Sequence, residues 1–364
     1  MIRHYETKFY LRTLIGSLFN ERYDRIIKFF GDKIGGEIVL TSSGSSAIFI
    51  ALKDIERRYG LGKIITSNYS CKAIPRAIIK AGFEPIFMDV DKDMGMNPKF
   101  MEMAIKENQD VRGIIAWHPE GFVFNKKIVQ IAKKHHLPLI EDCASSLALV
   151  NENLVGKTGD YAIFSFRTGK LIHGGGGVLI SKHKIDIKLK KKNFFLIAVG
   201  LGDLFLRKFL NIKKIKAISD HFFDHPGFKI MSKPESFIVY SQLKNIGVIR
   251  EKRKYNYDYL SRFGIKGQLK LDKAKLSPCP TSLVLLRDNR NNFISLMKRR
   301  GIEMSKDHTH INSEVFPGKV YGIGNSKFIS ERVCHLPVHE FLLEDDLKKI
   351  VKSVKEIDGQ RYIL

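Results

Sequence analysis

The chain has little cysteine, four residues in 364, and a single tryptophan. Cys71, Cys143, Cys279 and Cys334 form no Cys-x-x-Cys pair and no zinc spacing, so a disulfide scaffold is excluded and no metal site is expected. Four thiols in a chain of this length predict reduced, mostly buried residues of a cytoplasmic protein. No long apolar run follows the polar stretch Met1 to Glu6, so no secretory signal is expected there. The most membrane-like stretch is Phe194 to Leu210, where 12 of 17 residues are apolar. Asp203, Arg207 and Lys208 interrupt it, which argues against a spanning helix. Acidic residues are scarce as well: 38 Asp and Glu stand against 62 Lys and Arg, a formal charge of +24. Such a field attracts anions, whether nucleic acid, acidic lipid or phosphorylated metabolites. The absence of any recognised nucleic-acid module argues against the first.

What is present suits a soluble globular protein, with 44% hydrophobic and 27% charged residues. The length suggests two domains. Strand-like and helix-like segments alternate through the first two-thirds. Strands are expected at Lys63–Thr66, Glu84–Asp89, Gly113–Ala116, Leu137–Ile140, Tyr161–Phe166 and Gly177–Ser181. Helices are expected from Gly44 and over Ala73–Ala81, Pro98–Glu107, Asn125–His136 and Glu344–Ile357. This pattern predicts an α/β fold, a mostly parallel sheet between helices, followed by a smaller α+β C-terminal domain. Between Lys182 and Lys216 ten lysines and one arginine face two aspartates, a local charge of +9. That segment reads as a basic helical arm. With Phe194 to Leu210 between lysine clusters, it is a candidate for peripheral contact with an anionic membrane. The alternative is a core-packing helix flanked by solvated lysines.

Four separated pieces carry candidate chemistry. Ser43-Gly44-Ser45-Ser46 at a helix start offers N–H groups and hydroxyls to a phosphate; a serine cap alone would read the same. Asp142 ends a buried strand, the edge at which open α/β sheets bind ligands, and could hold a ring nitrogen protonated or cap a helix. The next strand delivers Ser165, and the turn after it delivers Lys170, a candidate for Schiff-base chemistry. Gly174 to Gly177 would let the backbone approach a ligand or a partner chain.

In this order the pieces resemble the DegT/DnrJ/EryC1/StrS sugar aminotransferases, within the fold-type I pyridoxal-phosphate enzymes. Asn68-Tyr-Ser-Cys71, Ala81 to Asp91, His118 to Gly121, Ser241-Gln-Leu243 with Arg253, and Leu336-Pro-Val-His339 resemble further family segments. The likeness runs from about residue 38 to 357 and is weakest between about 185 and 230. It implies a cofactor-binding domain over 1–245, including the basic segment 182–216, and a small domain over 246–364. It implies pyridoxal 5′-phosphate as cofactor, joined to Lys170, which also moves the proton, with Asp142 on the pyridine nitrogen. Gly44, Ser45 and Ser165 would hold the phosphate. Ser145 stands where the family has a glutamine on the ring hydroxyl. Cys71 takes the usual place of a stacking Phe or Trp, and Tyr69 is the alternative. Lys229 stands in the turn where an asparagine often reaches the partner subunit's phosphate. The implied activity moves an amino group from an amino acid, L-glutamate first, to a nucleotide-linked keto-sugar for amino-sugar and surface-polysaccharide synthesis. A homodimer is implied, because active sites in this family form between two subunits. The alternatives are another pyridoxal-phosphate reaction on a non-sugar substrate, and a catalytically altered member that binds an anionic membrane surface.

Overall fold

The structure is a computed structural model. It describes residues 1–4, 13, 16–17, 19–147, 149–150, 153–167, 169–191, 226–269, 279–306 and 308–359. Most of the basic segment, from 192 onward, lies outside the described residues, as does the candidate membrane-facing stretch 194–210.

The alternation of elements follows the sequence pattern closely. Helix α1 (Tyr23–Lys33) precedes β1 (Glu37–Thr41), α2 (Gly44–Tyr59), β2 (Lys63–Ser67), α3 (Ala73–Lys80), β3 (Glu84–Met88), α4 (Pro98–Glu107), β4 (Val111–Trp117), α5 (Lys126–Lys134) and β5 (Leu139–Asp142). Strands β6 (Tyr161–Ser165) and β7 (Gly177–Ser181) complete this part. Local chemistry sets the boundaries. Ser43 caps α2 by accepting from Ser46 N at 3.1 Å, and Gly60, at φ 77°, ends it. Asn97 caps α4 ahead of Pro98, whose missing N–H costs nothing in the first turn.

One sheet carries the fold. Its eight strands run in the order β1-β7-β6-β5-β4-β2-β3-β9, where β9 is Lys319–Tyr321. From β6 to β9 every pairing is parallel; β7 and β1 add an antiparallel edge. The parallel strands are buried on both faces, which is why they read as unbroken apolar runs such as Ile64-Ile65 and Ile114-Ile115. After α6 (Lys233–Leu243) and α7 (Ile246–Ser261), the antiparallel pair β8 (Ser282–Leu286) and β10 (Val333–Pro337) forms a second, smaller sheet. Helices α8 (Arg290–Arg299) and α10 (Glu344–Ile357) pack on it around Leu283, Leu285, Met297 and Val351. The intervening stretch laces back onto the large sheet. There β9 pairs with β3, Asn312 donates to Ser67 O at 3.2 Å, and Ser326 at the start of α9 (Gly324–Arg332) donates to Asp89.

The glycine run serves packing of this chain itself. A Cβ on Gly174 would fall 2.6 Å from Ile238 in α6, and one on Gly176 would meet Met231 at 2.6 Å. At Gly177 the neighbours are backbone and cannot swing aside: Ser43 C at 2.6 Å, Gly44 N at 2.7 Å and Phe164 O at 2.8 Å. Gly177→Ala is therefore expected to lower stability by about 2 kcal/mol, the usual size of an overpacked buried site. Urea denaturation of the variant checks this, and an unchanged midpoint would contradict the close approach.

Candidate active site

The carboxyl ends of β4, β5 and β6 and the start of α2 converge on one edge of the sheet, where open α/β folds bind ligands. At the α2 start, Ser45 is 7% exposed and Ser46 is fully buried, and the first turn holds no acidic residue. The helix has 16 residues, so its N-terminal N–H groups and dipole favour an anion. Gly44 lies against Ser165: a Cβ there would meet Ser165 Cβ at 2.7 Å and Oγ at 3.0 Å. The expected phosphate-holding residues Gly44, Ser45 and Ser165 thus come together. Turn 227–229 adjoins them through backbone, with Gly227 N donating to Ser46 Oγ (3.2 Å) and Ser42 N to Lys229 O (2.8 Å). The Lys229 side chain is exposed.

Asp142 is the last residue of β5, is 3% exposed, and accepts from Ala144 N at 2.9 Å. Burial pushes its carboxyl above the ordinary range, opposed by the Ala144 bond and by the charges of Lys170 and His118. Lys170 sits in the turn between β6 and β7. That turn is fixed by Lys170 N to Arg167 O (3.1 Å) and by Gly174 N and Gly175 N, both donating to Phe166 O. The half-buried Lys170 projects its Nζ to Ser145 Oγ at 2.9 Å. Ser145, which stands where the family has a glutamine, accepts this bond from the lysine.

Beside them stands an aromatic group. Tyr69 is fully buried, with its ring 6.3 Å from Trp117 and 6.1 Å from His308; Trp117 and His308 are 5.0 Å apart. Cys71 is half-buried two residues further on. Trp117 and His308 escaped the sequence reading. The signal for Trp117 was its place at a strand end, immediately before the His118-x-x-Gly121 turn.

That turn is anchored from beneath. His118 Nε2 lies 3.1 Å from Glu141 Oε2, and its ring stacks on Phe124 at 4.3 Å. Glu141 also accepts from Thr158 N at 2.6 Å, Thr158 Oγ1 at 2.7 Å and Gly159 N. Burial would raise the Glu141 carboxyl, but His118 and these donors more than offset that and hold it below the ordinary range. Cys143 completes a buried His-Glu-Cys group, and burial holds its thiol far above the usual range. These groups are spent on one another and on the backbone, and they brace the carboxyl ends of β4 and β5.

An eight-stranded mostly parallel sheet, with a lysine, a strand-end aspartate and a serine-lined helix start on one edge, defines the class of the fold-type I aminotransferases. Within that class the chain belongs to the DegT/DnrJ/EryC1/StrS aminotransferase family, whose profile matches residues 20–355. An uncharacterized protein of Methanocaldococcus jannaschii is 26% identical over 316 residues, 81% of this chain and 79% of that protein. A UDP-N-acetyl-3-dehydro-alpha-D-glucosamine 3-aminotransferase of Acidithiobacillus ferrooxidans is 32% identical over 156 residues, 42% of this chain and 41% of that protein. Among solved structures, the Helicobacter pylori aminotransferase PseC, involved in pseudoaminic acid biosynthesis, superposes with a TM-score of 0.76 at 17% identity, covering 98% of each chain. The E. coli GDP-4-keto-6-deoxy-D-mannose-3-dehydratase, solved with bound hydrated PLP, gives 0.77 at 17% identity, covering 98% of this chain and 99% of that one.

Proposed function

We propose that the protein is a pyridoxal-phosphate-dependent aminotransferase that moves an amino group from an amino acid, L-glutamate first among candidates, to a nucleotide-linked keto-sugar. The observation that carries this reading is the Lys170–Ser145 contact at the sheet edge that also holds Asp142 and the α2 start. The residues fit the cofactor. The cradle at Gly44 has no room for a Cβ, the buried Asp142 carboxyl calls for a cationic partner, and the helix start calls for an anion. When bound, pyridoxal 5′-phosphate supplies the electron sink and carries the amino group. Ser45, Ser165 and the N–H groups at the α2 start bind its phosphate. Asp142 holds a proton on the ring nitrogen. Tyr69 and Trp117 shield the ring face from water, and Lys170 takes and returns the proton of the donor's α-carbon. The family's placing of active sites between subunits supports a homodimer, and the exposed Lys229 is then placed to meet the partner's phosphate. An amino-sugar product fits surface-polysaccharide synthesis by cytoplasmic enzymes.

A spectral half-reaction tests the reading. The protein is loaded with pyridoxamine phosphate and given a panel of nucleotide-linked keto-sugars. One of them is expected to regenerate the visible band of the lysine-bound cofactor. If simple keto acids alone do so and no sugar does, the acceptor assignment falls.

A further inference from the structure

Glu120 is a buried titratable group with no role in the scheme above. It lies three residues past the end of β4 and is 8% exposed. Its backbone is at φ 46°, a left-handed conformation that residues other than glycine seldom adopt and that clusters at functional sites. The turn is clamped by the smaller sheet. A Cβ on Gly121 would meet Cys279 O at 2.7 Å, and Thr281 N donates to Glu120 O at 3.3 Å. The carboxylate Oε2 accepts from the Thr281 hydroxyl and from Ser282 Oγ at 3.1 Å. Ser282 Oγ lies 2.9 Å from His335 Nδ1, and His335 Nδ1 is 3.9 Å from the same carboxylate oxygen. His335 is 2% exposed, and its Nε2 has no hydrogen-bond partner among the described residues.

Topology sets this carboxylate at the sheet edge that also receives Lys170, whose Nζ lies 2.9 Å from Ser145 Oγ, three residues past Asp142. Trp117, the last residue of β4, pairs with Asp142, the last residue of β5, so Glu120 and Asp142 issue from the same end of neighbouring strands. Lys170 acts electrostatically on both. The charged and titratable groups facing Glu120 are His335 from β10, His308 from the segment before β9, and Lys170 from the β6–β7 turn. Asp142 from β5 faces Lys170 alongside it. Burial alone would push the Glu120 carboxyl up; His335, His308, the Thr281 hydroxyl and Lys170 more than offset this and keep it ionised.

We propose that Glu120 is an electrostatic positioning residue: its buried carboxylate, held by Thr281 and Ser282, favours the cationic form of the nitrogen that joins Lys170 to the cofactor. The inference rests on Lys170 being the linking lysine. It gives the two carboxylates separate tasks, Asp142 at the ring nitrogen and Glu120 at the lysine end. A negative charge close to a cationic nitrogen in a buried site favours the protonated form, so removing that charge makes the proton leave at lower pH.

A pH titration of the visible spectrum of the cofactor-loaded protein tests this, with Glu120→Gln and Glu120→Ser as neutral variants. Gln keeps the shape and still accepts from Thr281; Ser is the smaller alternative, and either one that folds decides the outcome. The band is expected in every protein, with its pH midpoint about one unit lower in the neutral variants than in wild type. Glu120→Asp, which keeps the charge, is expected to recover most of that difference. A band with an unchanged midpoint in a folded neutral variant overturns the role of Glu120 and leaves the linking lysine in place. A wild-type protein that forms no such band overturns both.

Discussion

Lys170→Ala is expected to abolish the visible band of protein loaded with pyridoxal phosphate and to lower transamination about 10⁴-fold or more, the scale of losing both the linking amine and the proton carrier. The fold should survive. The lysine turn is held by backbone bonds to Phe166 O and Arg167 O, which the substitution leaves intact. The lost Lys170–Ser145 contact is a single hydrogen bond, worth about 1 kcal/mol. Pyridoxamine phosphate should still bind, because in the proposed site the α2 start and Ser165 would hold its phosphate without help from Lys170. Lys170→Arg keeps the cation but offers no amine to condense, so it should be as inactive as alanine. Borohydride reduction followed by peptide mapping checks the assignment. One label per chain is expected, on Lys170, despite the many surface lysines of a +24 protein. A label mapping elsewhere, or a Lys170→Ala protein that still transaminates, would end the reading.

The backbone of this site was legible in the sequence because each element announces itself locally. Ser43 caps α2, the parallel strands are unbroken apolar runs, and Asp142 stands where one of those runs stops. Ser165 and Lys170 are five residues apart, one at the end of β6 and the other in the turn that follows, so their proximity to that edge follows from chain connectivity. What stayed hidden depends on contacts between distant segments. His308 reaches Trp117 only because the stretch before β9 folds back onto the large sheet. Glu120 gains its burial from Thr281 and Ser282, more than 160 residues away along the chain. The glycine run illustrates a different limit. Its sequence signals close approach without saying to what, and the neighbours are α6, Met231 and the backbone at Ser43.

Asp142→Asn should separate stability from catalysis, and the sign of each effect follows from burial. In the folded chain the Asp142 carboxyl titrates above its ordinary value, chiefly because burial disfavours its charge. Within the window between the ordinary and the raised value the folded state binds the proton and the unfolded state does not. Stability of the cofactor-free protein therefore falls as pH rises through that window and stays lower above it. Asparagine has no charge to bury and can still accept from Ala144 N, so the cofactor-free variant should denature at a higher urea concentration than wild type near neutral pH. At a pH below the window, where both side chains are neutral, the two proteins should denature alike. Cofactor binding should reverse the ranking. A protonated ring nitrogen would give the wild-type carboxylate a directly bonded cation, whereas asparagine gains little, so the stabilisation on loading should be larger for wild type. Turnover should drop about 10²-fold or more, the usual loss when one preorganised charge at a reacting centre is removed. Denaturation of loaded and cofactor-free forms at two pH values, together with the single-turnover rate, measures all three effects. Equal loading effects in the two proteins would show that Asp142 does not face the ring. In that case the burial of its charge would have to serve Lys170 alone.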